Sequence, residues 1–408
     1  MRISTPMMFD EGIRNIQDRQ SQMNRLQTQL ASGQQLLSPS DDPAASAKIL
    51  GLQQSQLTNQ QYSKNSQNAS NTLDLMDSSI QNVIDTLQSL KTSAIQGGNA
   101  TLNSQDRETI AQQIDQAFQQ VIGTANTTDA NGEYIFSGYS ANVKPFVESS
   151  NGRVNYMGDQ GQRNSQVSAQ TQIPVSQSGF SVFEKIPAGN GVFVTSTGTT
   201  NTGGGAVDAG SITNPSQLTG HSYSVSFNVT TTNGQASTKY TVTDNTSNQA
   251  VLADQSYVPG AAIQFDGLQF AIQGSPAQGD TFDVKPATNQ SIFTTLDQMR
   301  QALRAPQTTT SDKANFQTNF GQALAGLEQS LDHIVNTQAS IGNYAQQAET
   351  NKNQADDLDV QYKKQLAQLQ DLDYTKAISD FTQQQTYLEA AQKTFVQIQG
   401  LSLFNYIS

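Results

Sequence analysis

Toward both ends of the chain, apolar residues recur at intervals of three and four. Phe320, Leu327, Ile334, Ile341, Ala348, Ala355, Tyr362 and Leu369 stand seven apart without a break. Ala323 or Leu324, then Leu331, Ala345, Leu358, Leu366 and Leu372 fill most companion positions. Such spacing keeps one apolar seam on a helix and turns it toward a partner helix. It predicts a helix over 312–370, about 90 Å long at 1.5 Å per residue. Near Asp371 and Asp373 the phase slips and a new seam starts: Tyr374, Phe381, Leu388 and Phe395, with Ala377, Gln384, Ala391 and Ile398 three residues after each. A phase slip marks the place where a coiled coil changes partner or winding.

The N-terminal half mirrors this. A helix is expected from Pro43, with Asp42 as its cap and proline in the first turn. Leu73, Met76, Ile80, Val83, Leu87, Leu90 and Ala94 form its seam, and Gly97-Gly98 ends it. A shorter helix follows Ser104, carries Ile110, Ile114, Ala117 and Val121, and is expected to end at Gly123. Nearer the start the seam is thin. Ile13, Ile16, Met23 and Leu30 are interrupted by Gln20 and Gln27, and a helix of fewer than about 20 residues with so little to bury is marginal in water.

Two kinds of seam follow. Leu73, Met76, Ile80, Val83, Leu87 and Leu90, with Phe320, Leu327, Ile334, Ile341, Tyr362 and Leu369, read as internal core. Ile13, Ile16, Met23, Leu30, Tyr374, Phe381, Leu388, Phe395, Ile398, Leu403 and Phe404 read as an assembly interface, because their seams are too thin to fold alone.

Between the helical ends, about 130–290, Gly, Ser, Thr and Asn abound and β-branched residues alternate. Strands are expected at Tyr134–Phe136 after the turn Asn131-Gly132, and at Val154–Tyr156 after Asn151-Gly152. Ser222–Thr232 and Lys239–Thr243 flank Asn233-Gly234, and Ala262–Phe265, Gln269–Ile272 and Thr281–Val284 are further short strands. Residues 196–211 read as low-complexity loop. The expected class is therefore mainly α with an inserted β-rich domain, an elongated rod of long coiled-coil helices drawn from both termini. The parts are an N-terminal assembly helix (1–41), half of the rod with β-hairpins (42–175), an inserted variable domain (176–290), the other half of the rod (291–371) and a C-terminal assembly helix (372–408).

Composition narrows the function. Only 14% of the 408 residues are charged and the net charge is −12, so the phosphate attraction that dominates nucleic-acid binding is missing, as is attraction to anionic membranes. No stretch approaches the roughly 20 apolar residues of a membrane span, and the start MRISTPMMFDEGIRN lacks a signal-peptide apolar run. There is no cysteine, which removes disulfides, thiolate nucleophiles and Cys-based zinc sites. His221 and His333 lie in unlike regions and form no site. Gly203-Gly204-Gly205 follows no strand and opens no helix, so it is no phosphate loop. Asp41-Asp42, Asp356-Asp357 with Asp359, and Asp371 with Asp373 read as caps and solvated faces. The triplets at Asn68, Asn126, Asn228 and Asn245 match the glycosylation acceptor pattern, which a chain rich in Asn, Ser and Thr produces by chance. No catalytic residue, cofactor or metal ligand is expected. The pattern describes a building block.

The opening MRISTPMMF, LASGQQLLSPSDDPAAS (30–46), ANTTDANGEYIFSGY (125–139), YMGDQGQR (156–163), GLQFAIQGSPAQGDTF (267–282) and the closing LSLFNYIS (401–408) resemble the hook-associated proteins of the flagellin superfamily. The likeness covers both helical ends and the inner edges of the middle, not about 185–260. At Ile341-Gly342-Asn343-Tyr344, similar proteins carry an arginine after the glycine. The resemblance implies a structural part of the bacterial flagellum at the junction of hook and filament, forming a ring on which flagellin polymerises. It implies as partners other copies of the chain, the first hook-associated protein, flagellin and a cytoplasmic export chaperone, with neither nucleic acid nor membrane. It further implies type III export without a cleaved signal peptide and a final place in the extracellular flagellum. A filament subunit is the alternative within the superfamily. A coiled-coil surface adhesin is the rival from another class, and it would need an anchor or secretion signal. An enzyme fits least, for want of a convergent His, Cys or carboxylate set.

Overall fold

The computed structural model describes residues 5–98, 102–150, 152–232 and 235–407. Six α-helices and a set of short strands follow in the order helices, strands, helices: α1 (Thr5–Ser32), α2 (Pro43–Gly97), α3 (Ser104–Ala125), then all strands between Phe146 and Gln290, then α4 (Ile292–Arg304), α5 (Thr310–Gln370) and α6 (Tyr374–Ile407). The chain divides into two compact units, Met1–Asn65 with Thr350–Ser408, and Ser66–Glu349. The division cuts both α2 and α5 in mid-helix.

Local chemistry sets the helix starts. Asp42 Oδ1 accepts from the N–H groups of Ala44 (3.0 Å) and Ala45 (2.9 Å), opening α2. Its neighbour Asp41 accepts from Leu37 and Ser38 N–H at 3.1 Å each and pairs with Arg25 at 3.1 Å. The Ser-Pro-Ser-Asp-Asp-Pro run is thus a turn that one aspartate ties and the next converts into a helix. Asn103 caps α3, which starts at Ser104 itself and runs past Gly123 to Ala125.

In the unit 66–349, one core joins α2, α3, α4 and α5. Leu73, Met76, Ile80, Val83, Leu87 and Leu90 meet Ile114, Phe118 and Val121 of α3, Phe293, Leu296 and Met299 of α4, and Phe320, Leu327, Ile334 and Ile341 of α5, all buried. Phe136, Phe146 and Phe183 extend it, with ring centroids 5.3 Å apart for Phe136–Phe183 and for Phe146–Phe183. The helix α4, which the apolar pattern did not single out, is held to α3 by Arg300 and Arg304 on Asp115 (3.1 and 2.7 Å) and by Arg304 on Glu108 (3.1 Å).

The inserted strands carry a second core. A five-stranded antiparallel sheet runs in the order Gln249–Ser256, Gln235–Asp244, Tyr223–Thr232, Thr281–Pro286, Phe193–Thr197, and a smaller sheet packs Ala262–Phe265 on Leu268–Gln273 and Ala206–Val207. Tyr223, Val225, Phe227, Val242, Phe270, Phe282 and Val284 fill the space between. Several hydrogen bonds tie this insert to α5: among them, Thr318 Oγ1 accepts from Val207 N–H at 3.0 Å, Thr197 Oγ1 donates to Asn315 Oδ1 at 2.8 Å, and Ser311 Oγ donates to Asn201 O at 2.9 Å.

Four expectations need correction. Tyr134–Phe136 is no strand: the chain doubles back there, Ile135 N–H reaches Thr127 O (3.2 Å), Tyr134 N–H reaches Ala141 O (2.8 Å), and Ile135 and Phe136 are buried in the helical core. Residues 196–211 are not all loop, since Ala206–Val207 is a buried strand. The strand Gln249–Ser256 was not expected; it is an exposed sheet edge with little apolar alternation and a break in register opposite Val242. Helix α1 has 28 residues, longer than its thin seam suggested. The turn residues Asn151, Asn233 and Gly234 lie outside the described residues.

The segment 137–163 is bound up on itself. Asp159 Oδ1 accepts from Tyr139 N–H (2.9 Å) and Gly161 N–H (2.7 Å), and Oδ2 accepts from Ser140 Oγ (2.7 Å). Those bonds, the Ser140 hydroxyl first, hold its carboxyl below the usual range. Gly138 has φ +74°, and a Cβ there would fall 2.2 Å from Asp159 Oδ1. Tyr156 Oη donates to Asp159 O at 2.6 Å.

Ile334 is fully buried and its neighbour Val335 is 43% exposed. Ile334→Ala should therefore cost about 2–5 kcal/mol in denaturant unfolding, whereas Val335→Ala should stay within about 0.5 kcal/mol. Equal losses would place this seam outside the core.

Asp244 makes the insert acid-sensitive. Burial pushes its carboxyl up, but the Ser247 hydroxyl, His221 Nδ1 and the N–H groups of Thr246 and Ser247 outweigh burial and hold it well below the carboxylate range. A folded value below the unfolded one, about 3.9, means stabilisation that is complete above about pH 4 and is lost as pH falls through the folded value. Thermal melts taken into strong acid should show that loss, and Asp244→Asn should be less stable at neutral pH with a flatter acid limb.

Candidate assembly surface

In the unit 1–65 with 350–408, α1 and α6 lie against each other. Phe9 meets Phe395 edge to face, with centroids 5.6 Å apart. Gly12 makes room for that ring, since a Cβ there would stand 2.9 Å from Phe395 Cδ2. Arg19 donates to Gln384 Oε1 at 3.1 Å and lies 5.0 Å over the Tyr387 ring. Leu388 and Ala377 are buried, while Ile16, Met23, Leu30, Phe381 and Phe395 are half-buried. Ile13 and Tyr374 are exposed, 43% and 52%. The structure therefore brings most of the thin-seam residues together within one chain and leaves two of them facing outward. The side chains of Ile398, Leu403 and Phe404 lie outside the described residues.

The two helix breaks are joined to each other. Gln35 N–H donates to Gln370 O at 2.7 Å and Leu372 N–H to Gly33 O at 3.0 Å, around an antiparallel bridge between Gln34 and Asp371. Asp373 Oδ1 accepts from Thr375 and Lys376 N–H at 3.0 and 3.1 Å, which restarts the helix as α6. Thus the acidic pair Asp371 and Asp373 is a joint and a cap.

Beside the joint, polar groups link the start of α2 to the end of α5. Asn59 Nδ2 donates to Ala355 O at 2.6 Å, Gln56 and Gln60 both donate to Asp359 Oδ1 at 3.0 Å, and Ser63 donates to Asp356 Oδ1 at 2.8 Å. Bonds from Lys363 and Gln56 lower the Asp359 carboxyl, and bonds from Ser63 and Lys352 lower that of Asp356. Tyr362 and Leu369 are half-buried here, while Leu366 is buried.

The balance of apolar surface in this unit is unusual. Among the described residues its buried apolar side chains are Ile49, Ala355, Leu366, Ala377 and Leu388, whereas Met7, Ile13, Leu37, Leu50, Leu57, Val360, Tyr374, Ile378, Tyr387 and Val396 are exposed. Exposed apolar surface on this scale marks interaction sites. Leu50 and Leu57 were passed over in the sequence, although their seven-residue spacing on a helix was a legible signal. Elsewhere, His221 is spent on Asp244 at 2.8 Å and His333 on Ser181 O at 2.8 Å. Among the described residues no cluster of His, Asp or Glu could hold a metal, and no helix is long and apolar enough to cross a membrane.

Known proteins match this organisation part by part. The bacterial flagellin N-terminal helical region matches residues 3–141, the bacterial flagellin C-terminal helical region matches 324–407, and the D2-like domain of flagellar hook-associated protein 1 matches 196–286. The flagellar hook-associated protein 3 of Escherichia coli K12 is 25% identical over 405 residues, 99% of each chain. The flagellar junction protein FlgL from Legionella pneumophila is 31% identical with a TM-score of 0.70, over 79% of this chain and all of that one. FlgL of Xanthomonas campestris is 27% identical with a TM-score of 0.71, over 78% of this chain and 99% of that one.

The joint rests on Gly33, whose φ is +71° and whose added Cβ would lie 2.8 Å from Tyr374 Oη. Gly33→Ala should cost about 1–2 kcal/mol from the left-handed backbone alone. Limited proteolysis should then cut between α1 and α2, and between α5 and α6, faster than in the parent. Unchanged cutting rates would show that the joint does not hold the pair.

Proposed function

The chain belongs to the flagellar hook-associated protein 3 family and is a component of the junction between flagellar hook and filament; we propose that it forms a ring of identical copies there, with the first hook-associated protein below and flagellin above. One observation supports the ring most directly. The unit of chain termini exposes more large apolar side chains than it buries, and a second copy can cover what the single chain cannot. Residues 1–41 and 372–408 act as the assembly helices in this reading, through Ile13, Ile16, Met23, Leu30, Tyr374, Phe381, Leu388 and Phe395.

The work of such a ring is mechanical. Torque passes through packed helices, and no group need titrate or transfer. Delivery follows the flagellar export route to the extracellular flagellum, without a cleaved signal peptide and with a cytoplasmic chaperone covering the sticky ends. A cysteine-free chain with a lightly packed terminal unit suits a path on which early folding is a hindrance. A filament subunit is the second reading, because the matched helical regions are those of flagellin.

Leu388→Asp is the test. It places a carboxylate in the α1–α6 contact and leaves the core of 66–349 untouched. The main thermal transition of the purified protein should be unchanged, while cells carrying the variant export it, shed flagellin into the medium and do not swim. Labelled parent protein should appear as a single band at the filament base. Label along the whole filament would mean a filament subunit, and normal swimming by the variant would remove the α1–α6 pair from the assembly.

A further inference from the structure

Two side chains of the bound-up segment 137–163 stand largely in water. Asp159 uses Tyr139 N–H, Tyr156 supplies its hydroxyl, and the glycines are needed for room. Yet the ring of Tyr139 is 66% exposed and Met157 is 58% exposed. Met157 N–H on Pro145 O (2.7 Å) and Val143 N–H on Ser140 O (2.9 Å) set them beside Val143 and Val147, which are 43% and 41% exposed. Four exposed apolar side chains thus lie on this hairpin and the turn before it, among them a tyrosine and a methionine, residue types that carry binding energy at interfaces.

A second patch lies on α2. Leu50 and Leu57, 67% and 62% exposed, share a helix face two turns apart, away from the buried line of Ile49 and Asn59. Exposed Lys64, seven residues after Leu57, continues that strip, and the hairpin carries exposed Glu148 after Val147 and exposed Lys144 after Val143.

We infer that the hairpin patch of one copy docks on the Leu50–Leu57 strip of the next, giving the ring a lateral contact separate from the terminal helices. The inference rests on the ring reading above. Pairing either patch with its own kind would close a dimer and stop; pairing unlike patches repeats from copy to copy until the rotation closes. The strip fits as occupant because it is apolar and helical and continues in Lys64, a cation that complements Glu148 of the hairpin.

The chain has no cysteine, so introduced thiols report without background. Leu57→Cys with Met157→Cys, in flagella sheared from motile cells and mildly oxidised, should give a ladder of linked copies, since a disulfide forms only where Cα atoms come within about 7 Å. The single variants, and Leu57→Cys with Val258→Cys, should give no ladder; Val258 is 61% exposed on the insert. An assembled junction without the ladder overturns the contact, as does an equal ladder from the Val258 pair or linkage by Leu57→Cys alone. Where the thiol pair prevents assembly, Leu57→Glu and Met157→Lys should each abolish filaments and together restore them; failure to restore them overturns it too. Label missing from the filament base would overturn the ring reading, and this contact with it.

Discussion

A single heptad register runs through α5 from Phe320 to Leu369, and what it meets changes along the way. From Phe320 to Ala348 the register faces aliphatic and aromatic neighbours and is sealed from water. From Ala355 onward it faces Asn59, Gln56, Gln60 and Ser63, and water reaches half of it. The backbone hydrogen bonds of a helix are the same in both halves, so the difference in stability lies in side-chain burial. One unit closes its seam from water and the other leaves much of it open.

That contrast explains why the terminal unit relies on devices other than a core. Two helix breaks are hydrogen-bonded to each other, a glycine in the left-handed region lets the chain turn, and an aspartate restarts the next helix. Hydrogen bonds between exposed groups contribute only about 0.5–1.5 kcal/mol each, enough to set a register but little to resist unfolding. A pair of helices held this way is specific in geometry and yields in energy. Specificity with low stability suits the export route proposed above.

Most of the fold was legible because its largest elements are periodic. Eight residues at seven-residue spacing place α5, and Asp42-Pro43 places the start of α2 to the residue. The inserted strands with clean alternation, such as Ala262–Phe265, are present as read. What escaped lacked periodicity or had the wrong kind. Tyr134–Phe136 has the composition of a strand, but its backbone partners are loop carbonyls from Thr127 and Ala141, a tertiary choice that no local pattern encodes. Ala206–Val207 is too short to alternate, and Gln249–Ser256 has polar residues on both faces because it is an edge. The thin terminal seams were legible as seams; that Ile16, Met23, Phe381 and Leu388 meet within one chain depends on the joint between residues 33–35 and 370–372, and its backbone hydrogen bonds have no sequence signature.

The motif of residues 156–163 shows how two demands share one short run of sequence. Gly158 and Gly161 are required because a Cβ at either would fall within 2.6 or 2.0 Å of a tyrosine side chain. Asp159 is required because three donors converge on its carboxylate. Neither demand reaches Met157, whose N–H is bonded while its side chain stands in water. Folding alone would tolerate a polar residue there, at a saving of exposed apolar area. The cost of keeping methionine on the surface is small for one chain, and burial against a neighbour returns about 25 cal/mol for every Å² covered. A loop that spends its polar groups on itself and carries apolar side chains outside fits the lateral contact inferred above.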